Sequence, residues 1–269
     1  MTAPRQRVAI VTGTSSGFGR DTALRLVEMG WTVIGTVRGT AADAPEGTEP
    51  ARLDLRAEDE IAALGRTVNV QHKRLDALVC NAGYFQAGPL EEISSQELRD
   101  QLEVNLVGTL ALVRELLPAL RKAHGVVVLV SSISGRFGSA GFGPYCASKW
   151  GLGGAGEALA EELEPDGVRV VIVEPGLFAG TKIGGKSRMP AAADPAGHYR
   201  QVHEDLREFI DTADEKGAAP EIAVDAIVRA ATRRGAPLHL PVGDDAFRWL
   251  REQTDDAHAQ LDRAERFLA

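Results

Sequence analysis

Val8-Ala9-Ile10-Val11-Thr12-Gly13-Thr14-Ser15-Ser16-Gly17-Phe18-Gly19 is the stretch that decides the fold of this chain. Val8 to Thr12 is a short apolar run of the kind found in strands buried on both faces of a parallel sheet. A glycine-rich turn follows, with the spacing Gly-x-x-x-Gly-x-Gly, and then a segment of helical periodicity that reaches about Met29. Strand, tight turn and helix in that order set backbone N–H groups and a helix N-terminus where a pyrophosphate can bind. Alone, the turn is equally consistent with a tight connection that holds no ligand.

Outward from this unit the alternation repeats. Apolar runs at Thr32 to Val37, Leu75 to Cys80, Val126 to Ser131 and Val168 to Glu174 are each followed by helical patterning. The pattern predicts an α/β fold, a doubly wound (Rossmann-like) parallel sheet with helices on both faces, as one domain over residues 1–269. Arg52 to Leu55 and Leu238 to Leu240 read as further short strands, and helices are expected from near Ala57, between Leu102 and Leu112, from Cys146 to Leu163, from Pro220 to Arg234 and from Asp244 to Phe267. Leu177 to Gly217 has a different composition, with Gly184, Gly185, Pro190, Pro195 and Gly197 among charges, Phe178, Tyr199 and Phe209. It is expected to be an irregular insertion, residues 177–217, of a kind that is either a lid over a substrate site or disordered.

Composition narrows the function. Lys plus Arg number 30 against 38 Asp plus Glu, for a net charge of −8, which repels a phosphate backbone and argues against nucleic acid as a partner. The longest apolar runs fall far short of the roughly 20 residues that cross a bilayer. The N-terminal residues run straight into Val8 to Val11 without a leader-like apolar segment, so no membrane association and a cytoplasmic location are expected. Cys80 and Cys146 are the only cysteines, too few for a disulfide framework or a structural zinc site.

The end of the second run selects the dinucleotide. An acid there would accept from a ribose 2′-hydroxyl and repel a 2′-phosphate, whereas the residues present are Thr36, Val37 and Arg38. Arg38 can pair with a phosphate, which favours NADP(H) over NAD(H). Asp54, followed by Leu55, is a candidate acceptor for the adenine amino group or an exposed turn acid. Asn81-Ala82-Gly83 follows the Leu75 to Cys80 strand at the ligand edge, where small residues allow close approach of a cofactor.

Tyr145 and Lys149 are four positions apart at the start of a helical segment and share a face. A tyrosine of ordinary pKa about 10 needs positive charge nearby to serve in proton transfer at neutral pH. Lys149 can supply that charge, and an oxidised nicotinamide would add to it. Ser132, just after a buried strand, can donate to a carbonyl oxygen. Asn105 interrupts an apolar helix, and a buried amide there needs partners, so it makes a structural bond or holds a water. His198 and His203 lie five apart and do not share a helix face, so no metal is expected and a solvated segment is. Cys146 reads as an inert packed thiol. The cluster Gly151, Gly153, Gly154 and Gly156 costs helix stability that close packing against the sheet or another subunit would offset.

Taken together, Gly13, Gly17 and Gly19, Asn81-Ala82-Gly83, Asn105, Ser132 with Tyr145 and Lys149, and Pro175-Gly176 with Thr181 resemble the short-chain dehydrogenase/reductase family over about Arg7 to Thr181. The resemblance implies an enzyme in which Tyr145 is general acid in reduction and base in oxidation. Lys149 would lower the tyrosine pKa and bond the nicotinamide ribose, Ser132 would polarise the carbonyl, and Asn105 would hold a water. Ser15, Ser16 and Phe18 lie in the phosphate turn. Pro175 and Gly176 would lie beneath the nicotinamide, with Thr181 near its carboxamide. It also implies a carbonyl or alcohol of small-molecule size as substrate and a homodimer or homotetramer. Cys80 stands where members often have a second asparagine. The ending from Pro220 to Ala246 is similar to bacterial oxidoreductases that resemble 17β-hydroxysteroid dehydrogenases, and Phe178, Tyr199 and Phe209 are then candidate substrate walls. The competing reading is a dinucleotide-binding sensor without catalysis. Such sensors tend to lose the tyrosine or lysine, and both are present here.

Overall fold

The computed structural model describes residues 5–179 and 187–268, so Thr181, Gly184 and Gly185 lie outside the described residues. Seven parallel strands form one sheet: β1 (Val8–Thr12), β2 (Thr32–Val37), β3 (Glu49–Arg52), β4 (Ala77–Cys80), β6 (Val126–Val130), β7 (Arg169–Pro175) and β9 (His239–Val242), in the order β3-β2-β1-β4-β6-β7-β9. Chain order leaves β1 in opposite directions toward β2 and β4, and that reversal opens the crevice where such sheets bind ligands. β1, β4 and β6 are buried along their whole length. Alternate residues feed opposite cores. Ile10, Leu78 and Leu129 pack with α2 (Glu58–Thr67), α4 (Gly108–Ala123) and α5 (Gly143–Leu163), whereas Val11, Val79 and Val128 pack with α1 (Gly17–Glu28) and α7 (Pro220–Thr232).

The edges differ from the sequence expectation. The third strand is Glu49–Arg52, upstream of the expected Arg52 to Leu55, with Pro50 in it. β3 is an edge strand of the sheet, where a proline can leave its missing donor on the unpaired side. Leu53 still donates to the Val37 carbonyl, and Leu53 and Leu55 then dive into the core. The helix expected around Asn105 is two helices, α3 (Ser95–Leu102) and α4, joined by a π turn at Glu103–Val107.

The insertion is not irregular throughout. β8 (Ser187–Arg188) pairs in parallel with β5 (Phe85–Gln86), and α6 (Arg200–Lys216) is a 17-residue helix. Val202, Leu206, Phe209 and Ala213 recur at helical spacing along α6 and turn toward the body, with Leu206 and Ala213 fully buried. Gly197 and the prolines before it obscured this period. A last helix, α8 (Asp244–Leu268), closes the chain. Among the described residues no helix is long and apolar enough to cross a membrane.

Candidate active site

The glycine turn is stitched between β2 and β4. Gly13 and Gly17 adopt positive φ of 72° and 58°, a conformation that side-chain-bearing residues rarely take. Thr12 Oγ1 accepts from the backbone N–H of Asn81 and of Ala82, both at 2.9 Å, and Asn81 Nδ2 donates to the Thr12 carbonyl at 2.9 Å. Gly19 must be glycine for a local reason: a Cβ there would collide with Asn81 Nδ2 and the Gly13 carbonyl. Ser16, at the N-cap of α1, makes no side-chain capping bond, and the first turn of α1 holds no acid. Neither a Ser16 cap nor an acid in that turn thus competes with an anion for its N–H groups.

A groove of about 460 Å³ runs from this turn along the carboxyl edge of the sheet. Gly13, Ser15, Ser16, Gly17 and Phe18 border one end, and Arg38, Asp54 and Leu55 its flank. Asn81, Ala82, Gly83, Tyr145, Lys149, Pro175 and Gly176 complete it. Gly19 stands behind the groove as a spacer. Arg38 is exposed, and its charge helps hold Asp54 low. The side-chain bonds from Arg56, at 2.6 Å and 3.1 Å, do most of that work and bring Asp54 to about 2. Asp54 is therefore an ionised carboxylate tied to Arg56 rather than an open turn acid. Phe178, expected as a substrate wall, instead borders this groove edge-on to Phe18, with ring centroids 5.6 Å apart. Arg188, which lies over the Tyr84 ring at 4.4 Å, also borders it and was not foreseen.

Tyr145 and Lys149 occupy the first turns of α5. The Lys149 ammonium donates to the Val130 carbonyl at 2.8 Å and sits 5.7 Å from the centre of the Tyr145 ring. Burial lowers Lys149 to about 8 and raises Tyr145 to about 12, the latter partly offset by a hydrogen bond with the Ser132 hydroxyl. Desolvation, opposed by the Ser132 hydrogen bond, is what sets Tyr145 in the protein by itself. Ser132 Oγ also accepts from the Ser134 N–H at 3.1 Å, which fixes the hydroxyl at the start of its loop. Asn105 lies in the π turn, a backbone feature frequent at functional sites. Its Oδ1 accepts from the Tyr84 N–H at 3.1 Å, and Nδ2 donates to the Tyr84 carbonyl at 3.0 Å and to Ser148 Oγ at 3.2 Å. Ser148 Oγ in turn donates to the Tyr145 carbonyl at 2.7 Å.

A second cavity, also about 460 Å³, adjoins the groove. Phe85, Phe137, Phe142, Phe209 and Trp249 line it with Tyr145, and among those five only Phe209 was expected. Tyr199 lies elsewhere and donates its hydroxyl to Glu91 at 2.6 Å. The segment that carries α6 is tied to the body by that bond, by His203 Nε2 against Glu92 at 2.8 Å and by the Ala191 N–H to Glu97 at 2.9 Å. His203 is 1% exposed, so the expectation of a solvated histidine there is wrong: it lies on the inner face of α6 beside Leu206. His198 packs edge-on against Tyr199. Behind the site, Glu174 is 2% exposed and lies 3.5 Å from Arg136 and 3.1 Å from His239 Nδ1, a cluster that no sequence signal pointed to. Cys80 and Cys146 are both buried, and burial raises both thiols.

Of the clustered glycines on α5, Gly156 abuts Leu129 and Ile172 of the sheet, and Gly151 abuts Leu106. Gly153 and Gly154 meet nothing within 4 Å, and the neighbouring Trp150 is 53% exposed.

Comparison with known proteins agrees with this geometry. Residues 7–191 match the family model described as short chain dehydrogenase. The chain is 31% identical over 253 residues to the uncharacterized oxidoreductase YusZ of Bacillus subtilis, covering 88% of this chain and 89% of that one. It superposes on a short-chain dehydrogenase from Streptomyces avermitilis with a TM-score of 0.86 and 35% identity, covering 98% and 97% of the two chains. A short chain dehydrogenase from Burkholderia cenocepacia in complex with NADP gives 0.76 at 25% identity, covering 96% and 97%.

Proposed function

The chain belongs to the short-chain dehydrogenase family and is an oxidoreductase, and from that premise we propose that it interconverts a ketone or aldehyde and its alcohol with NADP(H), Tyr145 being the proton partner. One observation carries the reading: groove and second cavity meet at Ser132, Tyr145 and Gly176, which line both. A substrate carbonyl in the cavity and a dinucleotide in the groove would face each other across those residues.

The groove suits the dinucleotide. Gly13, Ser15, Ser16, Gly17 and Phe18 would hold the pyrophosphate, with Gly19 letting α1 close in. Arg38 would pair with a 2′-phosphate, a choice supported by NADP in the Burkholderia relative. Asp54 and Leu55 would border the adenine, Asn81, Ala82 and Gly83 the middle of the cofactor, and Pro175 and Gly176 the nicotinamide. Bound there, the dinucleotide supplies or takes the hydride. Ser132 donates to the carbonyl oxygen, and Tyr145 gives that oxygen its proton in reduction and takes it back in oxidation. Lys149 stays mostly charged below its value of about 8 and offsets charge that develops on the phenol. Asn105 anchors Tyr84 and, through Ser148, the turn of α5 that presents Tyr145.

We also take the protein to be one domain, with residues 177–217 as its substrate lid, to act in the cytoplasm, and to self-associate through the open Gly153-Gly154 face beside Trp150. The test of the function is the NADPH absorbance on addition of a panel of ketones and aldehydes. Tyr145→Phe should abolish its loss while NADPH binding persists, and full activity in that variant would refute the assignment.

A further inference from the structure

The shape and charge of the second cavity define which carbonyl compounds it takes. Its wall is aromatic and locked: Phe85 lies 4.7 Å from Phe142 and 5.1 Å from Tyr145, Phe142 lies 4.9 Å from Phe209, and Phe137 lies 6.0 Å from Trp249. Rings held against one another in this way form flat, stiff surfaces rather than an adaptable lining. Such a wall suits a rigid apolar body, because a flexible chain would lose more freedom on entering the same space. The volume of about 460 Å³ accommodates a ligand of several fused or linked rings.

Charge decides the far end. Among the described residues the cavity wall carries no lysine, arginine or histidine, while Asp205 and Glu252 stand exposed at its solvent side beside Gln253. Asp205 accepts from Gln201 at 2.9 Å and has no cation bonded to it among the described residues. An anionic substrate would bring its charge toward two carboxylates with no counter-ion from the wall, whereas a cation there gains a partner.

We propose that the substrate of this site is a ketone, or the corresponding alcohol, on a rigid ring-bearing apolar body without an anionic group, and that Asp205 and Glu252 favour a protonated amine at its outer end. The proposal rests on the carbonyl-reductase reading above and narrows it. Its test uses the protein loaded with NADP+, in which a ketone has no hydride to receive, and calorimetric titration with four probes. These are 4-phenylcyclohexanone, its para-dimethylaminomethyl and para-carboxylate analogues, and dodecan-2-one as a linear ketone with the same number of carbons. The amine should bind at least as tightly as the neutral ring ketone, and the carboxylate about tenfold or more weaker. The linear ketone should also bind more weakly than the neutral ring ketone. The double variant Asp205→Asn, Glu252→Gln should bring the amine and carboxylate together toward the neutral value.

A carboxylate that binds as well as the neutral probe, a linear ketone that binds as well as the ring, or binding of none of the four overturns the proposal. Turnover of the same probes with NADPH separates it from its premise. Binding in the expected order without NADPH loss would leave the cavity assignment standing and refute carbonyl reduction. Turnover without that order would do the reverse.

Discussion

Asn105 and Ser148 share a hydrogen bond of 3.2 Å that joins the π turn between α3 and α4 to the helix of Tyr145. Ser148 passes the contact on to the Tyr145 carbonyl at 2.7 Å, so an amide with 1% exposure sets the helical turn that presents the phenol. Removal of that amide leaves the Tyr84 backbone groups and Ser148 short of partners. Asn105→Ala should therefore cost about 1–3 kcal/mol of stability. With Tyr145 as the proposed proton partner, it should also lower kcat more than it raises KM, because the phenol is displaced while the cavity walls are kept. Urea denaturation beside steady-state kinetics checks both parts, and a variant with unchanged kcat would limit Asn105 to a structural role.

Lys149 gives a pH signature in stability. Its pKa falls from the ordinary 10.5 to about 8 on burial, so between those values the unfolded chain holds a proton that the folded chain has released. Stability from this group therefore rises with pH between about 8 and 10.5. Tyr145 acts in the opposite sense at higher pH, because its folded value of about 12 lies above its ordinary value of 10. Lys149→Met should abolish the rise. The difference in unfolding free energy between wild type and variant, measured by urea titration at pH 8 and pH 10, should change by roughly 1–3 kcal/mol in favour of the wild type.

The assignment of Arg38 to the cofactor's 2′-phosphate, proposed above, is tested by charge reversal. Arg38→Asp should lower kcat/KM for NADPH by about tenfold or more relative to NADH, since an attractive charge beside the 2′-phosphate becomes a repulsive one. Equal ratios in wild type and variant would show that the phosphate is bound elsewhere.

Glu174 depends on Arg136 and His239 for its counter-charge and hydrogen bonds, and its Oε2 has no partner among the described residues. Arg136→Met should destabilise the fold by about 1–3 kcal/mol, because a buried carboxylate loses a cation. Arg136→Met with Glu174→Met should recover most of that loss. Thermal melts of the two single variants and the double variant measure the coupling, and strict additivity would show that Arg136 contributes nothing to Glu174.

The parts of this architecture that were legible in the sequence share a physical origin. β1, β4 and β6 are buried on both faces, so they had to be continuous apolar runs, and Gly13 and Gly17 had to be glycine for their positive φ. Tyr145 and Lys149 could be paired because helical spacing brings them together locally. What stayed hidden depends on contacts across the chain. Arg136 and His239 are 103 residues apart, and no local spacing links them. Phe85 and Trp249 were isolated aromatics whose common cavity exists only after folding. α6 was missed for a different reason: its apolar period was present, but the glycines and prolines just before it dominated the reading of the whole segment.

The polar ties that hold α6 and the segment before it end in one neighbourhood, at Glu91, Glu92, Glu97 and β5, whereas Lys149 is anchored to the central sheet. The apolar face of α6 nevertheless meets Tyr145, because Val202 and Leu206 pack in one cluster with Phe85, Phe142 and Tyr145. A graft that replaces residues 187–209 would carry its acidic landing strip with it but would have to keep side chains of the size of Val202, Leu206 and Phe209, or the cluster around Tyr145 would repack with it.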